Sequence, residues 1–166
     1  MAYSQLQKLE TSMHIQASSE HFCDVYWNRT HHIANIFPEK IHSIEINEGE
    51  WGTEGSIVTW NYYLGKELRL QTSSSKQGKT CAAKVVAESI DRKDNKMTFK
   101  VIDGDLLQYY KSFKFILQVT PKEKGSIACM VLEYEKQQDH FPDPHIMLQL
   151  TAEVMKKVDA DYKDQN

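Results

Sequence analysis

A chain of 166 residues suits one domain. With 40% hydrophobic and 26% charged residues it has an ordinary globular mix, able to bury a core without covalent staples. A formal net charge of -3 with dispersed basic residues excludes the electrostatic footprint of a nucleic-acid or acidic-membrane binder. No apolar run approaches the roughly 20 residues that span a bilayer.

The opening MAYSQLQKLETSMHIQ is polar and carries no apolar signal region. Residues 5–17 read as a strand, with Leu9, Thr11, Met13 and Ile15 alternating with Lys8, Glu10, Ser12 and His14. Ser18 or Ser19 then caps a short helix with Glu20 in its first turn and Phe22, Val25 and Tyr26 at helical spacing. A second short helix from about Thr30 is stopped by Pro38. Residues 40–47 alternate again, and SIVTWNYYL is a β-branched and aromatic strand. Leu64-Gly65-Lys66 reads as a hairpin turn, after which LRLQTSSSKQGKT (68–80) begins like a strand and continues like a loop. Further strands follow at 81–90, 96–104, 109–121 and 126–137, with turns at Asp94-Asn95 and Lys122 to Gly125. Beyond Pro142 and Pro144 the period changes. Met147, Leu148, Thr151, Val154, Met155 and Val158 form a helical stripe to about Tyr162, with Lys156, Lys157 and Asp159 off it. Hairpin-linked strands imply an antiparallel sheet, and the long helix is the element that covers its apolar face. The expectation is one α+β domain over 1–166.

Cys23, Cys81 and Cys129 fit neither a disulfide framework nor a CxxC zinc pattern. They are expected as free thiols in a reducing compartment, the cytoplasm, where the Asn28-Arg29-Thr30 sequon stays unmodified. The stretch GEWGTEGS (49–56) suggests a phosphate loop, but it lacks a Gly-Lys-Ser/Thr ending, enters a strand rather than a helix, and carries Glu50 and Glu54. It reads instead as a tight turn with glycines where positive φ is needed.

HHIANIFPEKIHSIEINEGEWGTEGSIVTWNY, MTFKVIDGDLLQYYKSFK (97–114) and LEYEK (132–136) resemble the signature of the plant major latex protein family, within the birch-pollen-allergen or pathogenesis-related class 10 superfamily. The resemblance covers nearly the whole chain. It implies a helix-grip fold: a seven-stranded curved antiparallel sheet around a long C-terminal helix, two short supporting helices, and an internal apolar cavity. One departure stands out. The family passes from its NYxxxGK hairpin almost directly into the next strand, whereas 68–80 is extra length here, either a solvated loop or a lid.

The fold so implied has two functional readings. One is a binding protein for a small apolar plant metabolite such as a terpenoid, alkaloid or sterol, without cofactor, stable membrane association or nucleic acid, and monomeric or a weak dimer. The expected lining is Phe22, Tyr26, Ile57, Val85, Phe99, Val101, Tyr109, Phe113 and Phe115, with Met147, Leu148, Thr151 and Met155 from the helix. Tyr109, Tyr134, Thr11, Thr59, Thr151 and His14 are the candidate polar groups that orient it. The other is a cofactor-free cyclase or isomerase that folds a reactive intermediate into shape, with Tyr109 or His14 moving a proton. The superfamily's amine–aldehyde condensing enzymes use a lysine on the last strand, and Cys129 stands at that place, which argues against that chemistry. His31 and His32 are adjacent and point about 100° apart on a helix, so they do not form a chelating pair. The histidines lack metal-ligand spacing such as HExxH.

Overall fold

The computed structural model describes residues 5–64 and 79–165. Alternation governs the first strand, β1 (Gln7–Ile15): Leu9, Thr11, Met13 and Ile15 turn inward, while Lys8, Glu10, Ser12 and His14 are exposed. Helix α1 (Ser19–Trp27) starts at Ser18, whose Oγ accepts the His21 N–H at 3.1 Å. This satisfies one of the donors that a first helical turn leaves unpaired. Helix α2 (His32–Ile36) is shorter than the sequence suggests, because Thr30 turns its hydroxyl back to the Tyr26 carbonyl and ends α1 instead of starting α2.

Strands β2 (Ile41–Glu48), β3 (Ile57–Leu64), β4 (Lys79–Asp91), β5 (Lys96–Gly104), β6 (Tyr110–Pro121) and β7 (Ser126–Lys136) follow. The sheet order is β1-β7-β6-β5-β4-β3-β2, antiparallel throughout. The two short helices carry the chain from β1 at one edge to β2 at the other. Register irregularities at Ile41/Ser43, Ile46/Glu48, Lys84/Val85, Ala87/Ser89 and Tyr110/Ser112 bend the strands, which curves the sheet. Between β5 and β6 lies a short 3₁₀ helix, Asp105–Gln108. It is fixed by the Asp105 carboxylate, which accepts the Ala82 N–H at 2.8 Å. The Leu64-Gly65-Lys66 turn and most of the 68–80 segment lie outside the described residues; only Lys79 and Thr80 appear, at the start of β4.

The last element, α3 (His145–Gln165), buries Met147, Leu150, Thr151, Val154, Met155, Val158 and Asp159. These positions recur three and four apart, one face of a helix. Leu148 is half-buried, and Leu150 takes the stripe position expected for it. Asp159 corrects the expectation of an exposed position: its carboxylate accepts the Gln16 N–H at 3.0 Å and the Ala17 N–H at 2.9 Å. Against the sheet, α3 packs most closely on β1 and β7, and it also touches α1 and α2. Over the middle strands the helix and sheet stand apart. No helix of the described residues is long and apolar enough to cross a membrane.

Candidate functional site

A cavity opens where α3 stands off the middle of the sheet. Its interior proper is about 110 Å³, within a wider hollow of about 980 Å³ that runs out into solvent. The sheet contributes Val58, Trp60 and Tyr62 from β3, Val85 and Ala87 from β4, and Leu117 from β6. Tyr26 and Trp27 enter from α1, and Met147, Leu150, Thr151 and Val154 from α3. Among the described residues no Asp, Glu, Lys, Arg or His lines it. Trp51 and Gly52 bring the glycine loop to the wall. All three loop glycines have positive φ, at 78°, 81° and 88°, so the stretch is the tight turn the sequence suggests. Arg92 straps this turn to α1: its guanidinium lies 4.5 Å from the Trp27 ring centroid and donates to the Gly52 carbonyl at 2.8 Å. His31 and Trp51 bring their rings to 5.1 Å, joining the loop to the α1–α2 connection.

The wall holds two buried hydroxyls, Tyr26 and Tyr62, that have no hydrogen-bond partner among the described residues. Burial pushes both phenols well above the ordinary tyrosine range. The Thr30 hydroxyl donates to the Tyr26 carbonyl, and the Thr151 hydroxyl to the Leu148 carbonyl at 2.7 Å. Burial also pushes the Cys23 thiol up to about 12, so it stays protonated and unreactive at neutral pH.

A second, much smaller pocket, about 30 Å³, shares Tyr62 and Met147 with the first. Cys81, Asp105, Leu106 and Tyr109 complete most of its wall. Nearby, Tyr134 donates to Asp143 at 2.7 Å and Tyr110 donates to the Pro142 carbonyl at 2.9 Å. These bonds pin the segment that leads into α3.

Of the expected lining residues, Tyr26, Val85, Phe99, Phe115, Met147 and Thr151 face the cavity. Ile57 does not: β3 buries the opposite phase, through Val58 and Tyr62. Its face-mates Thr59 and Asn61 are polar, whereas Val58, Trp60, Tyr62 and Leu64 make up the apolar phase. Val101 is buried opposite Val85 in the sheet, and Phe113 stacks on Tyr134 with ring centroids 6.1 Å apart. Phe22 packs on Tyr26 at 5.3 Å, and Met155 is fully enclosed; both are core residues off the cavity wall. Leu148 offers its carbonyl to Thr151 rather than its side chain to the cavity. Tyr109 lines the second pocket. His14 is outside, with its Nε2 2.9 Å from the Lys124 carbonyl oxygen. Among the polar candidates, Tyr134 is committed to Asp143, and the Thr59 hydroxyl donates to Asn47 at 2.6 Å; Thr11, half-buried on β1, is not part of the wall. Sequence reasoning missed Tyr62, Trp60, Trp27 and Met130. Reading β3 in the phase of Val58 recovers Trp60 and Tyr62, and the alternation of β7 recovers Met130 beside Ala128.

Cys129 is half-buried on the opposite face of β7, where burial and the Glu10 carboxylate raise its thiol. The neighbouring inward positions are Ala128 and Met130, both apolar. His32 pairs with Asp161 at 3.1 Å rather than with His31, and no metal-competent cluster of three His, Cys, Asp or Glu occurs among the described residues.

A seven-stranded curved antiparallel sheet gripping one long helix, with two short helices and an apolar cavity between the layers, defines the helix-grip class of α+β proteins. The model of the Pathogenesis-related protein Bet v 1 family matches residues 4–163, and the chain belongs to that family. MLP-like protein 43 of Arabidopsis thaliana is 42% identical over 95% of this chain and 94% of its own length. The crystal structure of ginseng major latex-like protein 151 from Panax ginseng superposes with a TM-score of 0.83 at 29% identity, covering 94% of this chain and 97% of that one. The solution structure of an Arabidopsis thaliana member of the major latex protein family gives 0.63 at 38% identity, covering 94% and 93%.

Proposed function

We propose that this protein binds a small hydrophobic plant metabolite, of the terpenoid, alkaloid or sterol kind, in the cavity between α3 and the sheet. One observation carries the reading: the wall is built of apolar and aromatic side chains with no charged group among the described residues. Such a wall gains about 25 cal/mol for each Å² of apolar ligand surface it takes from water. Membership in a family known to bind hydrophobic ligands supports it. The methionines of the wall, Met130 and Met147, are flexible and suit ligands of varied outline. Three free cysteines support residence in a reducing compartment, the cytoplasm. The catalytic alternative gains no specific support, because proton transfer needs a titratable group beside the substrate and, among the described residues, the wall offers phenols held neutral by burial.

Native mass spectrometry of the protein incubated with a plant extract rich in terpenoids and alkaloids tests this. The expected result is a retained, chemically unchanged small molecule, displaced in an Ala87→Leu variant that fills the cavity. Equal retention by the variant places binding elsewhere. Conversion of a reactive precursor to one cyclised or isomerised product, faster than without protein, replaces carriage by catalysis.

A further inference from the structure

We propose that the cavity selects uncharged ligands that carry an accepting oxygen, and that the hydroxyls of Tyr26 and Tyr62 hold it. The inference rests on the cavity being the binding site. Both residues are nearly inaccessible, at 5% and 3% exposure, yet both belong to the wall. Neither hydroxyl has a partner among the described residues, whereas buried hydroxyls are normally paired. The protein's other buried tyrosines show the normal arrangement: Tyr110 donates to the Pro142 carbonyl and Tyr134 to the Asp143 carboxylate. The threonine hydroxyls of the wall are no substitute as donors, since Thr30 and Thr151 give their protons to backbone carbonyls.

The wall therefore holds two unpaired phenol donors, beside the Ser56 hydroxyl and the Trp27, Trp51 and Trp60 indoles that also line it. A ketone, lactone, ether or alcohol oxygen gives such a proton a partner. A pure hydrocarbon leaves both unpaired, so a site built around donors discriminates against it. A carboxylate or an ammonium group loses its hydration with no opposite charge among the described residues of the wall to replace it. The selected class is thus a neutral, mostly apolar, oxygenated skeleton.

The test compares four probes on one framework: perhydrophenanthrene, its ketone, its carboxylate and its primary amine. Dissociation constants are measured by competition on the full chain, as wild type, Tyr26→Phe and Tyr62→Phe. The expected order is ketone tightest, then hydrocarbon, with both ions weakest. Each Phe variant should lower the ketone-to-hydrocarbon preference about tenfold. Each should also keep the wild-type melting temperature, because no bond within the protein is lost; Tyr134→Phe, which loses one, is the control for ordinary destabilisation. Equal ketone and hydrocarbon affinity overturns the inference alone. So does a ketone preference that both Phe variants retain, or a carboxylate or amine that outbinds the ketone. Binding of none of the four overturns the cavity reading itself, and the inference with it.

Discussion

The Asp159 carboxylate near the end of α3 accepts the backbone N–H of Ala17, 142 residues earlier, at 2.9 Å. It accepts the N–H of Gln16 as well, at 3.0 Å to one oxygen and 3.1 Å to the other. Ala17 is fully buried at the point where β1 turns into α1, and its N–H has left the sheet ladder there. One side chain therefore satisfies two backbone donors and joins the final helix to the first strand. Asp159→Ala leaves both donors unpaired. It should cost about 1–3 kcal/mol for the buried Ala17 N–H, with a smaller addition from the part-buried Gln16 N–H. Asp159→Asn keeps one accepting oxygen and should lose less. Urea unfolding midpoints check both; a loss within experimental error in the alanine variant means the junction is held by other contacts.

Gly52 and Gly55 share a backbone conformation but differ in surroundings. Both have φ above 80°. A Cβ on Gly52 would meet the Asn28 side-chain oxygen, the Arg92 guanidinium and the Trp27 carbonyl, while one on Gly55 meets nothing within 4 Å. Gly55→Ala should carry only the left-handed backbone strain, about 1–2 kcal/mol. Gly52→Ala adds a clash that pushes the loop off α1, and Gly52 and Trp27 both line the cavity. Its melting temperature should fall further than that of Gly55→Ala, and its ligand affinity should change while that of Gly55→Ala does not.

Most of the architecture was legible because periodicity fixes it. Leu9 to Ile15 announces β1, and the shift of period after Pro144 announces α3. The cavity wall was legible where a strand has one polar face, as in β5, where Lys96, Lys100 and Phe99 set the phase. In β3, Ile57 and Val58 are equally apolar taken alone, but Thr59 and Asn61 mark the Ile57 face as the polar one, so the phase of Val58, Trp60 and Tyr62 was there to be read. Asp159 was illegible: an aspartate reads as exposed until its two backbone partners, far away in sequence, are in place. Tyr109 and Tyr110 are adjacent aromatics, and the 3₁₀ turn before them decides which one enters the core.

Asp143 receives the Tyr134 hydroxyl at 2.7 Å and the Lys136 ammonium at 3.1 Å. The tyrosine bond first, then the lysine, holds its carboxyl below the usual carboxylate range despite partial burial. A depressed folded-state value means that the stabilisation is present above the unfolded value, about 4, and is lost as pH falls through the folded one. Melting temperatures of wild type should therefore drop below about pH 4, and Asp143→Asn should remove part of that slope. Tyr134→Phe should cost about 1 kcal/mol at neutral pH and flatten the acid slope too. An unchanged acid slope in both variants assigns the acid sensitivity to other carboxylates.

The alkaline limb has the opposite sign. Burial raises the phenols of Tyr26 and Tyr62, and also those of Tyr110 and Tyr134, above their ordinary range. A group whose folded value is raised contributes stability that is fully present below its unfolded value, about 10 for tyrosine. That contribution is lost as pH climbs through the folded value, because the unfolded chain gives up its proton first. Cys23 adds to the same limb, its thiol raised by burial from an ordinary 9.0 up to about 12. The melting temperature of wild type should hold to about pH 9 and then fall steadily. Tyr26→Phe and Tyr62→Phe each remove one buried phenol and should each shallow the fall, measured as melting temperature against pH. A bound oxygenated ligand that accepts the Tyr26 or Tyr62 proton stabilises the neutral phenol further. Saturation with such a ligand should therefore raise the melting temperature at pH 7 and move the alkaline fall to higher pH, whereas a ligand seated outside the cavity leaves the onset of the fall where it was.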